Sequence, residues 1–360
     1  MIHKDTDNTI LEEWSTDGLQ YVRGCPVCEH TERRLLHTGL RDLLFYASGN
    51  WLLHECLYCG SAYLDPRPTQ DTIHLAYRNY YTHKQGKPRS SIEALHGLKR
   101  MERVIANGYR NWRYGTAFEP ASRLGALIMV FYPAKRALLD WDFRHIPLAP
   151  PMGRLLDVGC GDTGFLDNAR AAGWEAVGID PDPEVVINAH QRGFMVNQGN
   201  LNTLNEKSNY FDVITMSHVI EHVHEPRTTL QQVYRLLKPG GMVWIETPNI
   251  QSLGHDRFGC HWRGLEPPRH LVIYSCQSLT TLLREMGFHV IRMRTRHDIY
   301  LQVAERSLVI SKVAVSADRH SKLLNWQSGM LARLISYVRP EKAEFITLTA
   351  YKPAREAKDR

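Results

Sequence analysis

The chain has 360 residues, 43% hydrophobic and 23% charged, the balance of a globular protein long enough for one large domain and a smaller one. Its net charge of +6 is mild and reads as spread along the chain, and no basic stripe interleaved with aromatics argues for nucleic acid. The start, MIHKDTDNTILEEW, is polar and acidic rather than a signal peptide, and no run nears the ~20 apolar residues of a membrane span, so a cytoplasmic protein is expected.

Residues 1–20 read as a loose lead-in. Four of the seven cysteines then form two tight pairs, CPVC (Cys25, Cys28) and CLYC (Cys56, Cys59). Each C-x-x-C turn presents two thiolates to one ion, and two such turns complete a tetrahedral site. A zinc ribbon follows from this, with short strands such as WLLHEC and Gly60 in a tight knuckle. Four thiolates fill the shell, so the zinc is structural. A redox dithiol or disulfides are the rival reading, and disulfides disagree with the missing signal peptide. Cys160, Cys260 and Cys276 have no partner spacing and read as structural.

DPRP (65–68) breaks the chain, and IHLAYRNYYTH (73–83) reads as a helix with aromatics on more than one face. Residues 84–92 are a linker, and 93–145 look helical without a motif. Within them LGALIMVFY (124–132) is an apolar run ending at Pro133. A buried helix covering the active site is the expectation, with contact to a membrane surface or lipid tail as the alternative. PLAPP (147–151) opens the larger domain.

Residues 154–180 read as strand, glycine turn, helix, strand. Arg154 to Val158 is an apolar run containing Asp157; Gly159, Gly161 and Gly164 follow; Gly173 can stop the helix; and Ala176 to Ile179 closes on Asp180. Glycines there let backbone approach a ligand, and a helix N-terminus offers free N–H groups. An acidic residue ending the second strand can take both hydroxyls of a ribose. The turn therefore points to an adenosine-containing cofactor. Gly159-x-Gly161-x-x-Gly164 formally fits a dinucleotide fingerprint, but Asp157 would repel a pyrophosphate and suits a cofactor carrying an amino-acid ammonium. Strands are also expected near 194–198, 211–216 and 242–247, then at 287–294 and 344–352, with helix over 300–338.

LLDVGCG, Asp180, FDVITM with the following EHV, and LKPGG together resemble the class I S-adenosylmethionine-dependent methyltransferases. The resemblance covers roughly residues 151–353 and implies a doubly wound, Rossmann-like α/β fold with a mainly parallel seven-stranded sheet. It implies S-adenosylmethionine as cofactor, held by Asp157, Gly159, Cys160, Gly161 and Asp180, with Ser217 and His218 beside it. Two positions depart from the family pattern: Thr163 stands where glycine is usual, and Asn200 stands where an adenine-contacting Asp is common. Bacterial methyltransferases with an N-terminal ribbon carry a similar Pro-rich break and Tyr-rich helix.

Methyl transfer needs alignment and exclusion of water, and a hydroxyl acceptor also needs a base. SHVIEHVHEP (217–226) formally matches the zinc pattern H-x-x-E-H, but that reading lacks a third ligand and a helical scaffold. Glu221 and His222 are instead placed at the start of the next helix, with His222 either catalytic or a cap. HDRFGCHWRGLEPPRHLVIYS (255–275) is too polar for a core and is expected to close over the acceptor. His270 is the first choice of base and Glu266 the second, with Arg263 or Arg269 pairing an anionic group on the substrate.

The expected organisation is a ribbon module at 1–82, a helical linker or cap at 83–150, the catalytic domain at 151–353 and a tail at 354–360. The expected function is O-methylation of a small-molecule or glycan acceptor. C-methylation of a nucleotide-linked sugar, a nicotinamide oxidoreductase and a non-catalytic scaffold are the alternatives. Peripheral membrane contact and oligomeric state stay open.

Overall fold

The structure, a computed structural model, describes residues 13–78, 96–294, 296, 299–311 and 319–354, with backbone only over 319–328. The first twelve residues, residues 79–83 of the expected aromatic helix, the linker at 84–92 and the tail beyond 354 lie outside the described residues.

The N-terminal module is built from β1 (Leu19–Gln20), β2 (Arg33–Leu40), β3 (Trp51–Cys56), β4 (Ala62–Leu64) and β5 (Arg67–Pro68). β2, β3 and β4 form an antiparallel meander, and β1 pairs with β5. Trp51 and Leu53 alternate inward along β3, the period-two pattern of a half-buried strand. Beyond β4 and β5, Ile73–Tyr77 make a short 3-10 turn.

Three helices follow: α1 (Gly97–Tyr114), α2 (Gly125–Val130) and α3 (Pro133–Asp142). The first two touch backbone to backbone. A Cβ at Gly108 would lie 1.9 Å from the Ser122 carbonyl oxygen, and one at Gly125 would lie 2.4 Å from that of Ile105. The apolar run 124–132 is not the buried cover expected. Only Gly125 and Met129 of α2 are buried, while Leu127 is 61% and Phe131 76% exposed. A helix this short has one face to bury, and α1 occupies it. Nor is the charge spread: residues 97–136 hold eight Lys and Arg against two Glu, equal to the whole chain's net +6.

The larger body runs β6 (Arg154–Val158), α4 (Gly164–Ala171), β7 (Glu175–Asp180), α5 (Pro183–Gln191), β8 (Met195–Gln198), β9 (Phe211–Ser217), α6 (Pro226–Leu236) and β10 (Leu237–Pro248). It continues with α7 (Leu253–Phe258), β11 (Val272–Ile273), α8 (Cys276–Glu285), β12 (His289–Met293), α9 (Tyr300–Ile310), α10 (Arg319–Val338) and β13 (Phe345–Tyr351). The sheet order is β12-β13-β10-β9-β6-β7-β8, with β13 antiparallel to both its neighbours and the other pairs parallel. This is the expected doubly wound, mainly parallel seven-stranded sheet. Its central strands are near-continuous apolar runs because helices cover both faces. The Pro-Gly-Gly turn lies inside β10 as a bulge, where the register against β9 shifts between Leu237 and Met242. Helix over 300–338 divides into α9 and α10.

The N-terminal module and the larger body share one core. β11, from the loop after β10, pairs with β4, placing Val272 opposite Tyr63. Trp51, Leu53 and Tyr63 belong to the same apolar cluster as Leu156, Ile214 and Ile245. Polar ties reinforce the seam: Arg67 donates to the His224 carbonyl at 2.9 Å and Arg227 to the Val27 carbonyl at 2.9 Å.

Candidate functional site

Strand order reverses between β6 and β9, so their carboxyl ends open a crevice of the kind that binds ligands in open α/β sheets. The glycine turn lies there. Gly159 and Gly161 have φ of 67° and 52°, which side chains rarely adopt. A Cβ at Gly159 would meet Val219 at 2.7 Å, whereas one at Gly161 would meet nothing within 4 Å. Gly161 thus presents bare backbone to open space. Its amide donates to Asp180 Oδ2 at 3.0 Å, and the Asp182 amide donates to Oδ1 at 3.0 Å. Asp180 is thereby fixed at the end of β7, and burial pushes its carboxyl pKa up against these two amides. Each oxygen retains a lone pair for a further donor. Cys160 is buried beside Gly178, where a Cβ would sit 2.7 Å from its sulfur. Thr163 takes a left-handed φ of 61°, the conformation that makes glycine usual there, and its hydroxyl accepts from Arg192.

Asp157 is fully buried. Its Oδ1 accepts from Thr215 Oγ1 at 2.8 Å and is ion-paired with Arg144. Its Oδ2 is buried with no hydrogen-bond partner among the described residues. Burial raises its pKa, opposed first by Arg144. Arg144 carries no local mark of this role in the sequence. The guanidinium stacks over Phe165 at 3.9 Å, and Arg144 and His145 both have left-handed φ, 47° and 52°. Two consecutive left-handed residues, the first paired with a buried carboxylate, are a feature that only the fold reveals.

His218 follows Ser217 at the end of β9, with φ 53°. Its Nδ1 lies 3.1 Å from Glu221 Oε1, and its Nε2 lies 3.5 Å from Glu246 Oε1. Both carboxylates are fully buried. Burial alone would lower the His218 pKa, but the two carboxylates outweigh it and raise the value to about 10. Glu246 also accepts from Trp141 Nε1 and Thr347 Oγ1, each at 2.8 Å, and Thr247 Oγ1 donates to Glu221 at 2.9 Å. Glu246 was missed because within WIETPN it reads as strand interior. Asn200 is exposed, and its side chain caps the turn Leu201–Leu204 by accepting from the Asn202 amide at 2.9 Å.

Glu221 and His222 lie on a 3-10 turn, Ile220–His222, ahead of α6 rather than at its start. His222 Nδ1 is 2.9 Å from the Arg269 carbonyl oxygen and 3.0 Å from the Tyr77 hydroxyl, so the N-terminal module reaches this site. The His222 and His270 rings meet edge to face at 4.8 Å. The segment 255–275 is not too polar for a core: Trp262, Glu266, Arg269 and His270 are all buried. Its charges neutralise one another. Arg269 donates to Glu266 at 3.1 Å and to the Ala76 carbonyl at 2.8 Å, and pairs with Asp42 at 2.8 Å. Arg263 pairs with Glu266. Both arginines are therefore anchors of the fold instead of the expected substrate clamps. Burial would raise the Glu266 pKa, but Arg263, His270 and Arg269 hold it well below the carboxylate range, which makes it a poor base. Burial lowers His270 to about 4, so it too is weakly basic.

Cys25, Cys28, Cys56 and Cys59 converge, with Cys25 and Cys59 sulfurs 3.6 Å apart and those of Cys28 and Cys56 3.5 Å apart. Four sulfurs about 2.3 Å from one tetrahedral zinc stand about 3.8 Å apart, so the spacing fits a single ion.

A family model described as a methyltransferase domain matches residues 133–293. Over 155 residues the chain is 32% identical to the mitochondrial ubiquinone biosynthesis O-methyltransferase of Rattus norvegicus, covering 40% of this chain and 44% of that protein. Over 140 residues it is 34% identical to a ubiquinone/menaquinone biosynthesis C-methyltransferase of Cereibacter sphaeroides, covering 34% of this chain and 54% of that protein. The chain spans about half the length of these curated relatives. A solved S-adenosylmethionine-dependent methyltransferase from Archaeoglobus fulgidus is 21% identical with a TM-score of 0.43, over 63% of this chain and 98% of that one. Residues 133–293 thus match a methyltransferase-domain model, and they contribute six of the seven strands of the mainly parallel sheet.

Proposed function

We propose that the protein transfers a methyl group from S-adenosylmethionine to an oxygen of a small-molecule acceptor. One observation carries this reading. At the switch point, Asp157 keeps a buried, unpartnered carboxylate oxygen beside the Arg144 guanidinium, next to Gly161 and Asp180. An α-amino acid needs an anion for its ammonium and a cation for its carboxylate, and a ribose needs an acceptor for its hydroxyls. Asp157, Arg144 and Asp180 offer these three in turn. When bound, the cofactor supplies an electrophilic methyl on sulfur. The protein's own task is then to orient, exclude water and take a proton. His222 is the base proposed here, since His270 and Glu266 are too weakly basic and His218 is held as a cation between Glu221 and Glu246. Tyr77 and the Arg269 carbonyl fix its ring.

The names of the relatives support a quinone-type or other phenolic acceptor beside the sugar or glycan acceptors. The test is transfer of labelled methyl to panels of phenolic and sugar acceptors. Transfer to oxygen is expected, falling by about 10²-fold or more in His222→Ala while S-adenosylhomocysteine affinity is retained. Full turnover in that variant would remove His222 as the base. A methyl fixed on carbon of a sugar acceptor would establish the sugar C-methyltransferase alternative instead.

Zinc at the four cysteines is proposed as purely structural. Peripheral contact with an anionic lipid surface is proposed for α2 and the residue that ends it, since exposed Leu127 and Phe131 lie within the segment that concentrates the positive charge. A second copy carrying the same charge would be repelled. Among the described residues no helix is long and apolar enough to cross a membrane.

A further inference from the structure

Glu221, His222 and His270 each offer a ligating atom within 4.8 Å of the others. They come from separate elements: Glu221 and His222 from the turn after β9, His270 from the loop after β10. Each histidine is oriented the same way. The Nδ1 of His222 lies 2.9 Å from the Arg269 carbonyl oxygen, and that of His270 lies 2.7 Å from the Gly264 carbonyl oxygen. A carbonyl can only accept, so each Nδ1 carries the proton and each Nε2 keeps its lone pair, that of His270 lying 3.6 Å from Glu266 Oε2. Backbone carbonyls holding Nδ1–H are the support that metal-ligating histidines use. Glu221 is itself held by Thr247 and His218, and its two oxygens retain lone pairs beyond those bonds. His218, the first histidine of H-x-x-E-H, is engaged by Glu221 and Glu246, and His270 from the loop after β10 stands in its place.

We propose that Glu221, His222 and His270 bind a divalent transition-metal ion, distinct from the ion of the ribbon. Two imidazoles and one carboxylate suit Fe²⁺, Co²⁺ or Zn²⁺ and leave coordination positions open. An ion there would polarise a hydroxyl or phenol oxygen and ease loss of its proton. The ion and His222 acting as a free base are exclusive states of the same nitrogen, so metal occupancy would replace that role while keeping the acceptor class. This step rests on the methyl-transfer reading; the binding itself does not.

The test is titration of the full chain, its ribbon loaded with zinc, with Co²⁺ in the absence of cofactor and acceptor. One further equivalent is expected, with weak visible absorption and no thiolate charge-transfer band. Affinity should fall at least tenfold in His222→Gln and in His270→Gln, with His255→Gln unchanged. The half-buried His222 keeps the test usable should the buried His270 variant misfold. Cobalt appearing only with a thiolate band, or binding unchanged in both variants, would overturn the site. Either result leaves S-adenosylhomocysteine binding free to be measured separately.

Discussion

Asp157 is a carboxylate with a guanidinium against one oxygen and, among the described residues, no hydrogen-bond partner for the other. Removing its charge strands Arg144. Asp157→Asn is therefore expected to destabilise the fold by about 3 kcal/mol in urea unfolding and to weaken S-adenosylhomocysteine binding. Unchanged stability would mean that the pair is not formed in solution. Glu344 gives a pH-dependent case. It is buried, accepts from Trp262 and Gly254, and burial lifts its pKa from 4.5 to about 7. The folded state holds this proton more tightly than the unfolded chain, so its contribution is full below pH 4.5 and lost by about pH 7. Wild type should lose stability relative to Glu344→Gln as pH rises through that window, read as the difference in Tm; a constant difference contradicts it. Asp157, the glycines and Asp180 were legible because they form one local pattern. Arg144, Glu246 and Tyr77 were not, because they reach the site from other elements by packing. Glu266, Arg263 and Arg269 were misread because a dense charge run looks alike whether its members pair or face a substrate.

Elements show the same division. The strands were readable from apolar runs and their acidic or glycine endings. The cover role given to 124–132 failed because hydrophobicity does not say which face is already taken. At the α1–α2 crossing there is no space for a side chain, so Gly108→Ala should cost about 1–3 kcal/mol in thermal or urea unfolding. The exposed face of α2 gives a separate prediction. At about 2 kcal/mol per side chain withdrawn from water, Leu127→Ser with Phe131→Ser should lower co-sedimentation with anionic vesicles more than tenfold. Neutral vesicles should bind wild type weakly, and equal binding of both proteins would remove the lipid surface.

For the whole molecule, a seven-stranded sheet and a four-cysteine module were readable, but their union was not. A two-residue strand such as β11 has no periodicity to detect, yet it joins the sheet of the N-terminal module to the loop that carries His270. Cys28→Ser should therefore lower the Tm of the entire protein in one cooperative transition, whereas a ribbon that melts alone would show two. The crevice at the carboxyl ends of β6 and β9 is predicted to take an S-adenosyl cofactor. Calorimetric titration with S-adenosylhomocysteine, with NAD as control, tests it most directly. Micromolar binding of the first, lost in Asp180→Ala and absent for NAD, is the predicted result. Binding of NAD in its place would contradict the account.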